Sequence, residues 1–212
     1  ALRTSQVQHG LKMGDFERYR KYCTRRLLRL YKSLKFKHGK GKFEQRELTA
    51  QDVTEPRHFL IPLLNAERSL GQAMEIKKAM EQDKKWISHR RHHMIKRLRR
   101  ALQWADKAVA LCSERADAKT ILEAEAYANF VKGNYLMEWE QNWSSALQNF
   151  LQARAMYEKL GSSGSSENLA LFRDILSELE PTILFCKYQV QKRDGTSKLS
   201  DLNSLKEAHV SP

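Results

Sequence analysis

The sequence has 212 residues, and its 38 Lys and Arg outnumber its 25 Asp and Glu, which gives a formal net charge of +13. That charge favours a nucleic acid or another acidic surface as partner, and no apolar run is long enough to cross a membrane. Three separated cysteines without a CxxC pair argue against a disulfide framework and predict buried free thiols in a reducing compartment.

The second predicted helix has two chemically different faces. A short first helix over residues 3–12 precedes it, and it runs from Asp15, which caps its first turn, to about Lys35. Its apolar stripe consists of Phe16, Cys23, Leu27, Leu30 and Leu34. Its opposite face, here called the first ridge, consists of Arg18, Lys21, Arg25, Arg29 and Lys32. A helix with an apolar back is buried against protein on that side, so the first ridge is held outward.

A long connection and a third helix follow. The KHGKGK core of the connection is too rich in glycine and charge to fold alone, so we expect a polyanion to order it. The third helix is predicted over residues 55–81, with a distortion at Pro62. Its inward-facing residues are predicted to be Phe59, Leu63, Ala66, Leu70 and Met80.

The fourth helix, predicted over residues 83–113, repeats the division into an apolar and a basic face. Its apolar stripe consists of Ile87, Met94, Leu98, Ala101, Ala105, Val109 and Cys112. Its far side, here called the second ridge, carries Lys85, His89, His92, Lys96, Arg100 and Lys107. The sequence therefore predicts two separate cationic surfaces.

Three more helices are predicted over residues 117–140, 143–160 and 167–179. GSSGSS forms a flexible hinge before the last of them, which is predicted to end before Pro181. The segment TILFCKYQV then continues as a turn or two of helix or as a docking strand.

The fifth and sixth helices resemble a tetratricopeptide hairpin. Ala146, Phe150 and Ala153 follow its small-aromatic-small pattern, and Gly133 stands near the small residue expected on the preceding helix. The predicted fold is all-α, with about seven helices in tetratricopeptide-like antiparallel hairpins. We expect one helical domain over residues 1–191 and a flexible tail or linker over residues 192–212.

The first ridge lacks the acidic partners of an ordinary solvated helix face. Its helix has acidic residues only at Asp15 and Glu17, in the first turn, so the like charges beyond repel one another unless a polyanion neutralises them. We therefore predict RNA or DNA binding. A regular RNA duplex has a major groove too narrow for a helix, which favours a bulge or junction. Tyr19, Tyr22 and Tyr31 lie among the arginines, where they could stack on bases or pack internally.

No catalytic or metal-binding constellation stands out in the sequence. The HRRHH segment at 89–93 has no cysteine or carboxylate at ligand spacing, and its neighbouring cations oppose a divalent ion. No nucleotide-binding loop, catalytic serine or cysteine arrangement, or carboxylate pair is present. Neither enzymatic activity nor a cofactor is predicted.

The segment HGLKMGDFERYRKYCTRRLLRLYKSLKF at 9–36 closely resembles the start of the RNA-binding domain in the 68-kilodalton subunit family of the eukaryotic signal recognition particle. The resemblance continues through NAERSLGQAM at 65–74, DAKTILEAEAYANF at 117–130, YEKL at 157–160 and EPTILFCKYQV at 180–190. It implies a tetratricopeptide-like domain that binds signal recognition particle RNA near its S-domain junction. In such a domain an arginine-rich helix enters a widened major groove and helps remodel the RNA.

Together, the ridges, the connection and the resemblance predict one set of RNA-binding residues. The set consists of Arg18, Tyr19, Arg20, Lys21, Tyr22, Arg25, Arg26, Arg29, Lys32, Lys35, Lys37, Lys40, Lys42, Lys85, Arg90, Arg91, His92, Lys96, Arg97, Arg99 and Arg100. Leu28 and Tyr31 stand where some members of the family carry basic residues.

The resemblance also implies partners and a location. The partners are signal recognition particle RNA and other proteins of the particle, including the 72-kilodalton subunit through regions outside this sequence. The implied role is particle assembly for co-translational targeting in the cytoplasm, with a nuclear or nucleolar assembly stage and a ribosome contact left open.

Two rival functions are compatible with the residues. One is a helical adaptor whose last three helices bind an acidic peptide of a protein partner. The other is a peripheral module on anionic lipid, which is disfavoured because the first ridge lacks bulky apolar residues between its charges. Membrane insertion is not predicted.

Overall fold

A computed structural model describes residues 2–36, 47–83, 87–139, 142–162 and 166–194 of the chain. Within these ranges the chain forms seven α-helices and two short 3₁₀-helices, and it contains no strand. The α-helices are α1 (Leu2–Gln8), α2 (Phe16–Ser33), α3 (Leu60–Gln82), α4 (Ser88–Arg115), α5 (Ala118–Trp139), α6 (Trp143–Ser162) and α7 (Ser166–Asp194). The 3₁₀-helices are Ala50–Asp52 and Pro56–Phe59. The predicted all-α fold is confirmed.

The helices form two compact units, Ala1–Asp117 and Ala118–Pro212. In the first unit α3 packs against both α2 and α4, and in the second unit α6 packs against both α5 and α7. Each unit therefore has a central helix with one neighbour on either side. The single domain over residues 1–191 stays a prediction. The predicted behaviour of the KHGKGK segment and of the tail after Asp194 lies outside the described residues.

The start of α2 is determined by its cap. Oδ1 of Asp15 accepts a hydrogen bond from the backbone N–H of Arg18 at 3.0 Å, as the sequence predicted. The helix before it is shorter than predicted, because α1 ends at Gln8 and the chain then turns through Gly10 and Gly14. These glycines have φ of +90° and +72°, the left-handed region that other residues enter only with strain.

The apolar stripe of α2 is buried in the first unit. Cys23, Leu27 and Leu30 are 0%, 1% and 8% exposed, and they pack together with Leu64 of α3. The helices approach closely at Gly71, where an added Cβ would lie 3.6 Å from Cδ1 of Tyr19. The predicted register of α2 is therefore confirmed, and its basic face points away from the core.

The predicted distortion of α3 at Pro62 does not occur. A 3₁₀ turn precedes the helix, and α3 begins at Leu60, so Pro62 lies in the first turn, where no backbone N–H is needed. Of the predicted inward-facing residues, Ala66 and Met80 are fully buried, while Phe59, Leu63 and Leu70 are only partly buried. A central helix packs on two sides, so its buried residues do not form a single stripe.

The second unit contains the tetratricopeptide-like contact that the sequence predicted. Phe150 of α6 is fully buried between Ala146 and Ala153, which are also fully buried. Its ring occupies the space beside Gly133 of α5, where an added Cβ would lie 2.6 Å from Cε1 of Phe150. Glycine at position 133 therefore makes room for the aromatic ring.

We expect Gly133→Ala to destabilise the second unit by about 1–3 kcal/mol, because the ring cannot move out of a filled core. Gly161→Ala is a matched control, since an added Cβ there would meet Cβ of Phe172 at an ordinary 3.6 Å. That control is expected to stabilise by up to about 1 kcal/mol through helix propensity. Urea denaturation should show a lower free energy of unfolding for Gly133→Ala than for the wild type, and an equal or higher one for Gly161→Ala. Equal effects would contradict the proposed packing.

The predicted stop before Pro181 is wrong. α7 continues through Pro181 to Asp194, and TILFCKYQV is part of the same helix. Proline removes one backbone hydrogen bond, but the residues after it, Ile183, Cys186 and Val190, are almost completely buried in the core of the second unit. Their burial outweighs the lost bond, so tertiary packing overrides the local stop signal.

The three cysteines are free thiols in buried positions. Burial raises the pKa of Cys23 to about 12 and that of Cys186 to about 11. Thiols with such high pKa values are protonated at neutral pH and are poor nucleophiles or metal ligands. The prediction of buried free thiols is confirmed.

Candidate nucleic-acid interface

All five members of the first ridge are exposed on α2. They are Arg18, Lys21, Arg25, Arg29 and Lys32. Lys35 follows the helix, is also exposed, and has a left-handed φ of 52°. Leu28 lies among these cations and is 64% exposed, so the first ridge does contain a bulky apolar side chain, contrary to prediction.

The first ridge has little internal neutralisation. Arg25, Arg29 and Lys32 have no carboxylate partner among the residues that the structure describes. Lys21 pairs with Glu17 at 2.5 Å, but both side chains are more than half exposed, and such surface pairs contribute little to stability. Most of the charge on this helix face is therefore available to an external anion.

Arg20 differs from the ridge residues because α3 already supplies its counterion. Its Nε and Nη2 donate to the two carboxylate oxygens of Glu75 at 2.6 and 3.3 Å. The hydrogen bond to Glu75 raises the pKa of Arg20. Arg20 therefore holds α2 to α3 in this structure, rather than standing free on the surface.

Tyr19 is a core residue, which corrects its assignment to the RNA-binding set. It is 1% exposed, and its hydroxyl donates to the carboxylate of Glu67, which also accepts from Nε2 of Gln6 at 3.0 Å. A base cannot stack on a ring in this position. Tyr19 lies four residues before Cys23, which lies four before Leu27. The helical period therefore places Tyr19 on the same side of α2 as the apolar stripe.

Tyr22 and Arg26 connect α2 to α1. The ring of His9 stacks on Tyr22 with centroids 3.5 Å apart, and Nη1 of Arg26 donates to Oγ of Ser5 at 2.9 Å and to Oη of Tyr22 at 2.6 Å. Burial lowers the pKa of His9, and the nearby Arg18, Arg26 and Arg29 lower it further. One face of Tyr22 is therefore covered, and Arg26 is held by neutral acceptors.

The second ridge lies on α4. Of the predicted RNA-binding residues on this helix, His92, Lys96, Arg99 and Arg100 are exposed, and Arg90, Arg91 and Arg97 are half-buried. Arg90 pairs with Asp83 at 2.6 Å, whereas Nε of Arg97 donates to Nε2 of His93 at 3.1 Å. Lys107, further along the helix, pairs with Glu47 at 3.0 Å. The remaining residues of the predicted RNA-binding set, Lys37, Lys40, Lys42 and Lys85, lie outside the described residues.

Arg68 of α3 is a cationic residue that the sequence reading missed. It is half-buried, and its Nη2 donates to Oδ1 of Asn65 at 3.0 Å. Burial lowers its pKa, and the positive charges of Arg100 and Arg97 on α4 lower it further. No local pattern marks Arg68, because the cations near it come from another helix.

The described part of the chain contains no cluster of three His, Cys, Asp or Glu that could hold a metal ion. None of its helices is both long enough and apolar enough to span a bilayer.

Comparisons with known proteins give consistent matches. The family model for RNA-binding signal recognition particle 68 matches residues 11–209. Signal recognition particle subunit SRP68 of Drosophila melanogaster is 35% identical over 211 residues, covering 97% of this chain and 34% of that protein. The Dictyostelium discoideum protein of the same name is 31% identical, covering 95% of this chain and 33% of its own length. The chain thus spans about a third of these curated relatives.

A solved structure is similar in fold as well as in sequence. The structure of the SRP68-RBD from Chaetomium thermophilum matches with a TM-score of 0.74 and 28% sequence identity. The match covers 89% of this chain and 95% of the other.

Proposed function

The chain belongs to the RNA-binding signal recognition particle 68 family, and we propose that it binds signal recognition particle RNA through the first ridge on α2. The observation that carries this proposal is the uncompensated charge of Arg25, Arg29 and Lys32, which project from a helix whose other face is buried. A rigid row of cations without carboxylate partners among the described residues suits the negative charge of a nucleic-acid backbone.

We propose that the RNA site is irregular, at the S-domain junction. The major groove of regular A-form RNA is too narrow for a helix, whereas a bulge or junction widens it. Insertion of α2 there would favour the open form of the junction and so remodel the RNA. The second ridge on α4 would bind phosphates beside it and fix the orientation of the domain.

The proposed role is binding and assembly. The family is described as RNA-binding. In the whole protein, this role would support a cytoplasmic particle for co-translational targeting, with contacts to other particle proteins such as the 72-kilodalton subunit made by other regions. A nuclear assembly stage stays a prediction.

A filter-binding titration tests the proposal. The chain is titrated with an S-domain transcript and with a fully paired RNA of equal length, at 50 and 200 mM salt. We expect tighter binding to the junction, and a loss of about 10³- to 10⁵-fold in affinity over this range if some six to ten phosphates are contacted. Equal, weak and salt-independent binding to both RNAs would contradict the proposal. It would favour the rival adaptor for an acidic protein partner.

A further inference from the structure

Arg68 presents a guanidinium that the protein positions without neutralising. Its neighbour Asn65 accepts a hydrogen bond from Nη2 at 3.0 Å. The amide nitrogen of Asn65 is itself fixed, because it donates to the carbonyl oxygen of Ile61 at 2.9 Å and to Oη of Tyr31 on α2 at 3.1 Å. The other N–H groups of Arg68 have no protein acceptor among the described residues. The guanidinium group of Arg68 is therefore held in one orientation and can still donate hydrogen bonds to a ligand.

The charges around Arg68 make an anion favourable there. Arg97 and Arg100 of α4 are close enough for their charges to act on it. The adjacent carboxylate, Glu67, is turned into the core towards Tyr19. A half-buried cation beside two like charges is costly unless an anion joins them.

The contrast with Arg20 shows that the α2–α3 interface can supply a counterion. Arg20 also lies beside α3, where Glu75 binds it through two oxygens. Arg68 has no such carboxylate in the described residues, although it is half-buried like Arg20. Arginine forks bind the paired oxygens of a phosphate as well as those of a carboxylate.

We propose that Arg68 binds one backbone phosphate of the bound RNA. Its guanidinium, oriented by Asn65, donates from α3, and Arg97 and Arg100 of α4 add positive charge to its surroundings. Since Asn65 also bonds Tyr31, the site is connected to the helix that carries the first ridge. This inference rests on the proposed function for its natural ligand, and it adds a contact on α3 that neither ridge includes.

Arg68→Gln tests the site with S-domain RNA as the probe. We expect affinity to fall about ten- to hundredfold, as for loss of one charge-assisted contact. The slope of log affinity against log salt should become shallower by about 0.9. Arg173→Gln is the matched control, because Arg173 is exposed on α7 and its loss changes the net charge equally. It should leave affinity nearly unchanged.

The melting temperature of the free protein separates binding from a structural role. Arg68→Gln should melt at the same temperature as the wild type or higher, since it removes a poorly compensated cation. A large drop in melting temperature would overturn the proposal by making Arg68 a structural residue. The proposal would also be overturned if Arg68→Gln bound the RNA with the affinity and salt slope of the wild type. If the double variant Arg25→Ala/Arg29→Ala still bound the RNA more weakly in that case, the proposed function would stand.

Inorganic phosphate gives a readout that does not depend on RNA. Millimolar phosphate should raise the melting temperature of the wild type and of Arg173→Gln more than that of Arg68→Gln. Equal shifts in all three proteins would reflect general salt stabilisation and would count against the site. This measurement decides the inference even if the chain fails to bind the transcript.

Discussion

Replacing Arg25 and Arg29 together with alanine is expected to weaken binding to signal recognition particle RNA by at least about 10²-fold. Each residue is exposed and has no carboxylate partner in the described part of the chain, so each can donate to phosphate or a base edge. Loss of two charge-assisted contacts of about 1.5–3 kcal/mol each accounts for that effect. Filter binding at several salt concentrations measures it, and the salt slope should decrease by about 1.8.

The folded state should not suffer from this double substitution. Arg25 and Arg29 are four residues apart on one helix face, where like charges repel, and alanine is the better helix former. Circular dichroism should therefore show unchanged or greater helicity. Lys132→Ala with Arg173→Ala is the matched control, because both residues are exposed in the second unit. Undiminished affinity in the Arg25/Arg29 variant would refute the assignment of the first ridge.

Leu27→Asp is expected to unfold the first unit or to destabilise it by about 4–5 kcal/mol. Leu27 is 1% exposed and packs in the cluster that joins α2 to α3. An aspartate there would bury an unpaired carboxylate and remove apolar contacts at the same time. A loss of this size is comparable with the whole stability of many domains. Thermal and urea denaturation followed by circular dichroism measure it.

Leu28→Asp supplies the control at the neighbouring position. Leu28 is 64% exposed, so the same change of side chain should alter stability by only about 0.5 kcal/mol. It should weaken RNA binding all the same, because it places a negative charge among the ridge cations. Equal melting temperatures for the two aspartate variants would show that the register of α2 is wrong.

The predicted helices were most accurate where a local pattern was strong. α2 begins where Asp15 caps it, and its exposed and buried faces follow the predicted periodicity. The Gly133 and Phe150 contact was likewise visible as a spacing pattern. The prediction for α7 failed because Pro181 is a local stop signal, and only burial of the residues after it keeps the helix intact.

The amino-acid sequence by itself determined the all-helical fold and the outward direction of the first ridge, because a period of about 3.6 residues assigns each side chain to a face. Only the tertiary structure decided which aromatic and basic side chains are exposed and unpaired enough to contact RNA. The hydroxyl of Tyr19 donates to Glu67, which is 48 residues away in the sequence, and the guanidinium of Arg20 donates to Glu75, which is 55 residues away. Arg68 gains its cationic surroundings from another helix. Contacts of this kind depend on how helices pack, which no short-range spacing encodes.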